Sequence, residues 1–394
     1  MRRFADGDRM GSAVTELLIG MVGDLLIDRD QPNEPLAPAL PLLNTPDIMF
    51  GNLEACFTDD PHPSPSGATP LYPGSHNLDA FVRAGFDVLS LANNHMVDAG
   101  HAAMLDNIAR LRSQGVHTAG AGANLTAARE TAYVTAKGLT TGFIARASVF
   151  PMGYEARSNV PGIAPMRAYD LWRPFLDNYY IPGVPPRAQT VPDEGDLTNL
   201  ASDLSDARSR ADLVVASYHW GDMLRPFYLS DHERRTAYWS IDNGADLVVG
   251  HHHHALRGIE WYHGKPIFYG LGHFVFDVRL EVSEEAKAMI GTDPESFGIF
   301  PRDGWPLLPT HPDTRMTIFA YARADGEGVR DIGFVPCRLR PDGRIEPVQR
   351  GSAEGQEVIA YVERCNVSQG LNARLTTDDA IDLAGWSTVR VVPR

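Results

Sequence analysis

The chain has 394 residues, 43% of them hydrophobic and 22% charged, with 50 acidic against 35 basic side chains and a formal charge of −15. These are globular values that exclude disorder and fibre. The acidic balance excludes nucleic acid or an anionic membrane as the main partner, because phosphate binding relies on clustered Lys and Arg. Cys56, Cys337 and Cys365 are too scattered for a disulfide framework or a Cys-x-x-Cys knuckle, and no apolar run reaches the length of a signal-peptide core or a membrane span. A soluble, cytoplasmic protein with no membrane anchor is therefore expected.

Leu17 to Val22 is apolar without alternation and ends in Gly23-Asp24, the pattern of a strand buried on both faces and followed by a loop. Asp47-Ile48-Met49-Phe50 is a second such run. Leu78 to Ala84 has helical spacing and stops at Gly85. Asp87 to Ala92 predicts another buried strand, and Asp98 is placed as the cap of a helix that runs to about Gln114. Ala132 to Ala136 and Thr140 to Ala147 predict two strands joined at Lys137-Gly138. Residues 151–195 hold eight prolines and many aromatic side chains with no clear period, and predict an irregular lid or pocket wall.

Regular alternation then returns. Asp196 to Arg210 is helical in pattern, and Asp212 to Tyr218 reads as a strand. Ser230-Asp231-His232-Glu233 is a capping box opening a helix to about Asn243, with Gly244 at its end. Asp246 to Val249 and Pro266 to Tyr269 predict two more strands. Residues 281–312 form a second irregular insertion. Met316 to Tyr321 and Ile332 to Leu339 read as a hairpin turning near Asp325-Gly326, and one helix is expected near 353–364. The expected division is a main α/β domain over 14–340 and a C-terminal extension, 341–394, packed on it.

The chemistry lies in how the strands end. Asp24 follows the first; Asn52 and Glu54 the second; Asn94 and His95 the third. His219 follows the next, then His251, His252, His253 and His254, and finally His273. In α/β sheets the carboxyl ends of the strands converge on one edge, where ligands bind. Carboxylate, carboxamide and imidazole together suit a divalent metal such as Mn, Fe or Zn, and this many ligands suit two ions. A single Gly-Asp or His after a strand is ordinarily a turn or a satisfied polar residue; the repetition is what points to metal. His62, His76, His101, His117, His232, His263 and His311 lack such context, with His76 and His311 the two best placed to fold over the site. Asp203 and Glu233 read as solvated or capping residues; Arg29, Arg146, Arg157 and Arg225 are candidates to hold an anionic substrate, each reading first as a surface residue.

Gly23-Asp24-Leu25-Leu26, Gly51-Asn52-Leu53-Glu54, the run from Gly85 to His95, His219-Trp220-Gly221, Gly250 to His254, and Gly270 to Asp277 resemble the CapA family of poly-γ-glutamate (capsule) biosynthesis proteins, which are related to calcineurin-like metallophosphoesterases. The resemblance runs with gaps from about residue 16 to 280. It implies a four-layer α/β/β/α sandwich of the metallophosphoesterase type, carrying the two insertions. It implies Asp24 and Glu54 as carboxylate ligands, with Glu54 bridging, Asn94 as carboxamide ligand, His219 as ligand, and His95 as general acid or transition-state stabiliser. His252 and His254 fit the family's His-x-His spacing, with His251 a close competitor. His253 stands where the family has Pro, and His273 where it has Asn, so that His273 is a candidate catalytic acid–base group, an additional ligand, or a residue that only hydrogen-bonds a ligand histidine. The expected function is metal-dependent hydrolysis of a small or polymeric anionic ester, phosphoester or amide. The alternative is a non-catalytic role in poly-γ-glutamate synthesis or polymer binding.

Overall fold

The first apolar run folds as a ten-residue strand, β1 (Leu17–Leu26), which extends past Asp24 and has nine of its ten residues buried. It belongs to a computed structural model that describes residues 16–66, 70–176, 179, 181–223, 225, 227–278 and 312–394. Beside β1 run β2 (Ile48–Leu53), β3 (Val88–Ser90) and β4 (His117–Ala119), all parallel. A second sheet is built from β5 (Ala132–Ala136), β6 (Leu139–Ala147), β7 (Leu213–His219), β8 (Leu247–His251), β9 (Ile259–Tyr262) and β10 (Lys265–Phe268), in the order β9-β10-β8-β7-β6-β5. Returning to the first sheet, β11 (His273–Phe276) lies parallel to β1. The hairpin β12 (Met316–Asp325) and β13 (Gly328–Leu339) pairs with Leu17–Met21 of β1 on the flank away from β2, the flank that β11 takes further along at Asp24–Leu26. β14 (Ala373–Thr376) and β15 (Val389–Pro393) extend it further, through antiparallel pairing of β15 with β13.

The second sheet shows why its strands read as continuous apolar runs. Leu213 and Val215 of β7 and Leu247 and Val249 of β8 join the core that contains β1 and β2. The alternate residues Val214, Ala216 and Tyr218, with Val248, enter a separate core formed with two helices, α2 (Glu194–Arg208) and α3 (Asp231–Asp242). Side chains alternate across a strand, so only a sheet covered on both faces has no polar face to show. Phe50 of β2 stacks on Phe143 of β6 at a centroid distance of 5.4 Å, tying one sheet to the other. Helix α1 (His101–Ser113) and helix α4 (Ala353–Ser368) add Met104, Leu111, Val358 and Val362 to the larger core. Among the described residues, no helix is long and apolar enough to cross a membrane.

Two expectations are corrected. Gly100, not Asp98, is the N-cap of α1, because the Asp98 carboxylate already accepts from Leu71 N, Tyr154 Oη and His95 Nδ1. Residues 151–195 are not irregular throughout: Ala168–Arg173 and Arg187–Pro192 pair as an antiparallel hairpin, and its prolines sit at the ends of the strands or in the turn, where no ladder bond is lost. Trp172 and Phe175 of this hairpin stay 67% and 51% exposed, whereas Tyr154, Ile163 and Met166 earlier in the segment are buried. The segment 281–311 lies outside the described residues, and His311 with it.

Candidate metal centre

Strand register sets the site before any side chain is considered. β1 and β11 align Asp24 with His273, β1 and β2 align Asp24 with Asn52, and β7 and β8 align His219 with His251. Gly23 makes the first pairing possible. A Cβ there would stand 1.7 Å from the carbonyl oxygen of Gly272, which accepts from Asp24 N at 3.0 Å. Past β8 the chain turns sharply: His252 and His254 have φ of +89° and +56°. Non-glycine residues seldom adopt these values, and such strain gathers at functional sites.

The side chains then converge. Asn52 Nδ2 donates to Asp24 Oδ1 at 2.9 Å, reaches Glu54 Oε2 at 3.5 Å and lies 3.3 Å from His219 Nδ1. Asn93 fixes that orientation by donating to Asn52 Oδ1 at 3.3 Å and to Leu53 O at 2.7 Å. His219 Nε2 stands 2.6 Å from Asn94 Oδ1, 3.1 Å from His252 Nδ1 and 3.5 Å from Glu54 Oε1. His254 reaches toward both carboxylates, with Nδ1 3.6 Å from Asp24 Oδ2 and Nε2 4.0 Å from Glu54 Oε1. His273 Nε2 is 2.5 Å from His254 Nδ1. Three groupings place their ligand atoms within 4.8 Å of one another: Asp24, His254 and His273; Glu54, His252 and His254; and Asp24, Glu54 and His219. His251 lies against Asp24, its Nδ1 3.5 Å from Oδ1, but belongs to none of them. His95 stands at the rim, its ring held by Asp98 at 2.7 Å and its side chain 14% exposed.

Burial sets the protonation states. The carboxyl of Glu54 is pushed well above the usual range by burial and then by the charge of Asp24. Burial would raise Asp24 too, but His251 and His254 beside it outweigh this and hold it well below. His219, His252 and His273 are kept well below the ordinary imidazole value, first by burial and then by neighbouring histidines, and so are neutral. Neutral imidazole is the form that binds metal. Among the described residues, Asp24 Oδ2, Glu54 Oε1, both ring nitrogens of His251 and Nδ1 of His273 are buried with no hydrogen-bond partner. Leaving one such atom unsatisfied costs about 1–3 kcal/mol. A divalent cation would satisfy several together, so the donor set fits one.

The four arginines that are candidates to hold a substrate each face a carboxylate of this chain: Arg29 pairs with Asp277, the buried Arg146 with Asp203, Arg157 with Glu155 at 2.8 Å, and Arg225 with Asp222 at 2.5 Å. Asp203 is thus engaged and not simply solvated. Glu233 is fully buried, with its Oε1 2.8 Å from His253 Nε2, and burial raises its pKa to about 7. Its local pattern announced only the cap. A cavity of about 620 Å³ opens past the ends of β1 and β11, lined by Asp28, Arg29, Tyr72, His76 and Asp277.

A buried cluster of carboxylate, carboxamide and imidazole at the strand ends of an α/β fold has the make-up of a divalent-metal centre. The chain belongs to the family described as bacterial capsule synthesis protein PGA_cap, whose pattern it matches over residues 18–278. It is 32% identical over 329 residues to a Mycobacterium tuberculosis (strain H37Rv) protein named "Probable polyglutamine synthesis accessory protein Rv0574c", covering 79% of this chain and 80% of that one. It is 27% identical over 279 residues to the "PGA biosynthesis protein CapA" of Bacillus subtilis (strain 168), covering 70% of this chain and 66% of that protein. Among solved structures it resembles a hypothetical protein from Thermus thermophilus, with 15% identity, a TM-score of 0.43 and coverage of 81% of this chain and 98% of that one. It also resembles the calcineurin-like phosphoesterase YfkN from Bacillus subtilis, with 12% identity, a TM-score of 0.38 and coverage of 91% and 100%.

Proposed function

We propose that this protein is a metal-dependent hydrolase acting on an anionic substrate, with Asp24, Glu54, Asn94, His219, His252 and His254 as the ligands of two divalent ions (Mn, Fe or Zn). His273 joins Asp24 and His254 as a further ligand, and His251 supports Asp24. The observation that carries this reading is the set of buried, partnerless donor atoms on Asp24, Glu54, His251 and His273, gathered from strand ends far apart in sequence. The two-sided burial of the second sheet supports the four-layer α/β/β/α sandwich as the frame.

Bound ions of this kind supply Lewis acidity and lower the pKa of a water. The protein's own residues do the rest. Asn52, oriented by Asn93, holds the two carboxylates at one spacing. Asp98 engages Nδ1 of His95 and leaves Nε2 at the rim to give or take a proton. The cavity past β1 and β11 lies within the size range of small-molecule sites and is the proposed substrate side. The capsule and polyglutamine-synthesis names of the relatives favour a polymeric anion, such as poly-γ-glutamate, as the substrate.

The test is metal analysis of the purified protein, followed by assays on phosphoesters, esters, amides and poly-γ-glutamate before and after chelation. Bound metal with chelator-sensitive cleavage is expected. A metal-free protein, or one that retains the polymer uncut with metal bound, overturns the hydrolase reading.

A further inference from the structure

Within the four-histidine run, His253 contacts a different partner from its neighbours. His252 and His254 meet His219, Asp24 and Glu54, whereas His253 Nε2 lies 2.8 Å from Glu233 Oε1, and neither side chain has measurable exposure. Glu233 is in the first turn of α3, and its other oxygen accepts from Ser230 N at 2.6 Å in the capping box. Helix α3 therefore holds His253 through the same carboxylate that caps it.

The surroundings of the ring extend this contact. A Cβ on Gly221 would stand 2.1 Å from His253 Nε2, and one on Gly270 would stand 2.8 Å from His253 Nδ1. The imidazole thus fills the gap between two backbone segments that only glycine leaves open. Gly221 follows His219 by two residues, and Gly270 precedes His273 by three. His253 itself sits between His252 and His254, both with positive φ. Backbone in that region persists where its surroundings hold it in place.

We propose that Glu233 and His253 are positioning residues: a buried clamp that fixes three ligand-bearing strand ends, 219–221, 251–254 and 270–273, to the first turn of α3. This rests on the metal-centre reading above. His253 touches no substrate; it sets the approach of His252 and His254 to the carboxylates. Residues that orient ligands in this way typically change metal affinity about 10–100-fold when removed.

The experiment is Co²⁺ titration of the full chain, followed by visible absorption, for the native protein and for His253→Ala, Glu233→Ala and His253→Gln. Both alanine variants are expected to lose about 10–100-fold in affinity and to show a shifted Co²⁺ spectrum at saturation. His253→Gln, whose amide N–H can still reach Glu233, is expected to recover most of the affinity and the native spectrum. Alanine variants that match the native protein overturn the clamp. So does a glutamine variant as poor as alanine, which would make the imidazole itself the ligand. If His253→Ala does not fold, Glu233→Ala, which keeps the ring, decides by the same spectrum. A native protein that binds no Co²⁺ overturns the metal centre itself, whereas native binding with unaffected variants overturns only the clamp.

Discussion

Asp24 and Glu54 share one hydrogen-bond donor, Asn52 Nδ2, at 2.9 and 3.5 Å, yet their acidities are driven in opposite directions. Glu54 is raised well above its usual range by burial and by the charge of Asp24, while Asp24 is held well below by His251 and His254. Two carboxylates this close and this buried share the cost of ionisation unequally.

The first prediction is that metal uptake releases a proton. Below its folded-state pKa Glu54 is protonated, so an incoming cation must displace that proton. Asp24 is already ionised, and His219, His252 and His273 are already neutral, so they add none near neutrality. Affinity should therefore rise about tenfold per pH unit while Glu54 is protonated, then level off above its raised pKa. Calorimetry in two buffers of different ionisation enthalpy measures the proton directly. A flat affinity with no proton released would refute the assignment of Glu54.

His219→Ala should remove metal and leave the fold standing. The residue closes β7, whose alternate faces pack into the core shared by the two sheets and into the core formed with α2 and α3, so its loss affects the site and not the packing beneath it. The drop in affinity should exceed the about 10–100-fold that orienting residues account for. Metal content and circular dichroism check the two halves, and unchanged metal content would remove His219 from the ligand set.

His273→Asn isolates one of the three groupings. His273 is the in-register neighbour of Asp24 on β11 and lies 2.5 Å from His254, with Nδ1 buried and partnerless. As a ligand its loss should lower bound metal while the site built on Glu54 and His252 survives. Retained metal with a shifted pH–rate profile would make it an acid–base group instead. Unchanged metal, rate and profile would leave it no role.

His95→Gln should keep metal and slow turnover about 10²–10⁴-fold, the usual range for a general acid or base. The ring lies at the rim, outside the three groupings, and Asp98 holds it at 2.7 Å. A variant that loses metal would place His95 among the ligands.

Much of this was legible in the sequence, for one physical reason. Strands buried on both faces are continuous apolar runs, so the polar residues that close or follow them stand out at Asn94 and His219; Asp24 instead lies inside β1, two residues before its end, and His273 opens β11 and does not close the strand before it. Local pattern misleads where one residue serves a distant partner. Asp98 has the look of a cap because Asp before a helix usually is one, but Tyr154, 56 residues away, and His95 use its carboxylate. Glu233 is a cap by pattern and by structure, and nothing local shows that its second contact is His253. Arg146 carries no sign that the 2%-exposed side chain is buried against Asp203. The hairpin of 168–192 is obscured by prolines that its strands place at their ends.

Gly23→Ala is the last prediction, and it tests the frame instead of the chemistry. The backbone of Gly23 is ordinary, so any effect is steric. The added methyl would stand 1.7 Å from Gly272 O and 2.8 Å from Gly272 C, backbone atoms that have no rotamer to move away. β1 and the turn before β11 must separate, and with them goes the 3.0 Å bond from Asp24 N to Gly272 O. A lost hydrogen bond costs about 1 kcal/mol and forced overpacking about 1–3 kcal/mol, so destabilisation of about 2–4 kcal/mol is expected. Gly351→Ala, where a Cβ meets nothing within 4 Å, is the control and should stay within about 0.5 kcal/mol of the native protein. Urea denaturation of both variants, with Co²⁺ affinity measured alongside, reads the outcome. Because the same separation parts Asp24 from His273, Gly23→Ala should lose metal affinity as well as stability. A variant as stable as the control, with native affinity, would show that β1 and the 270–273 turn do not approach as closely as this geometry requires.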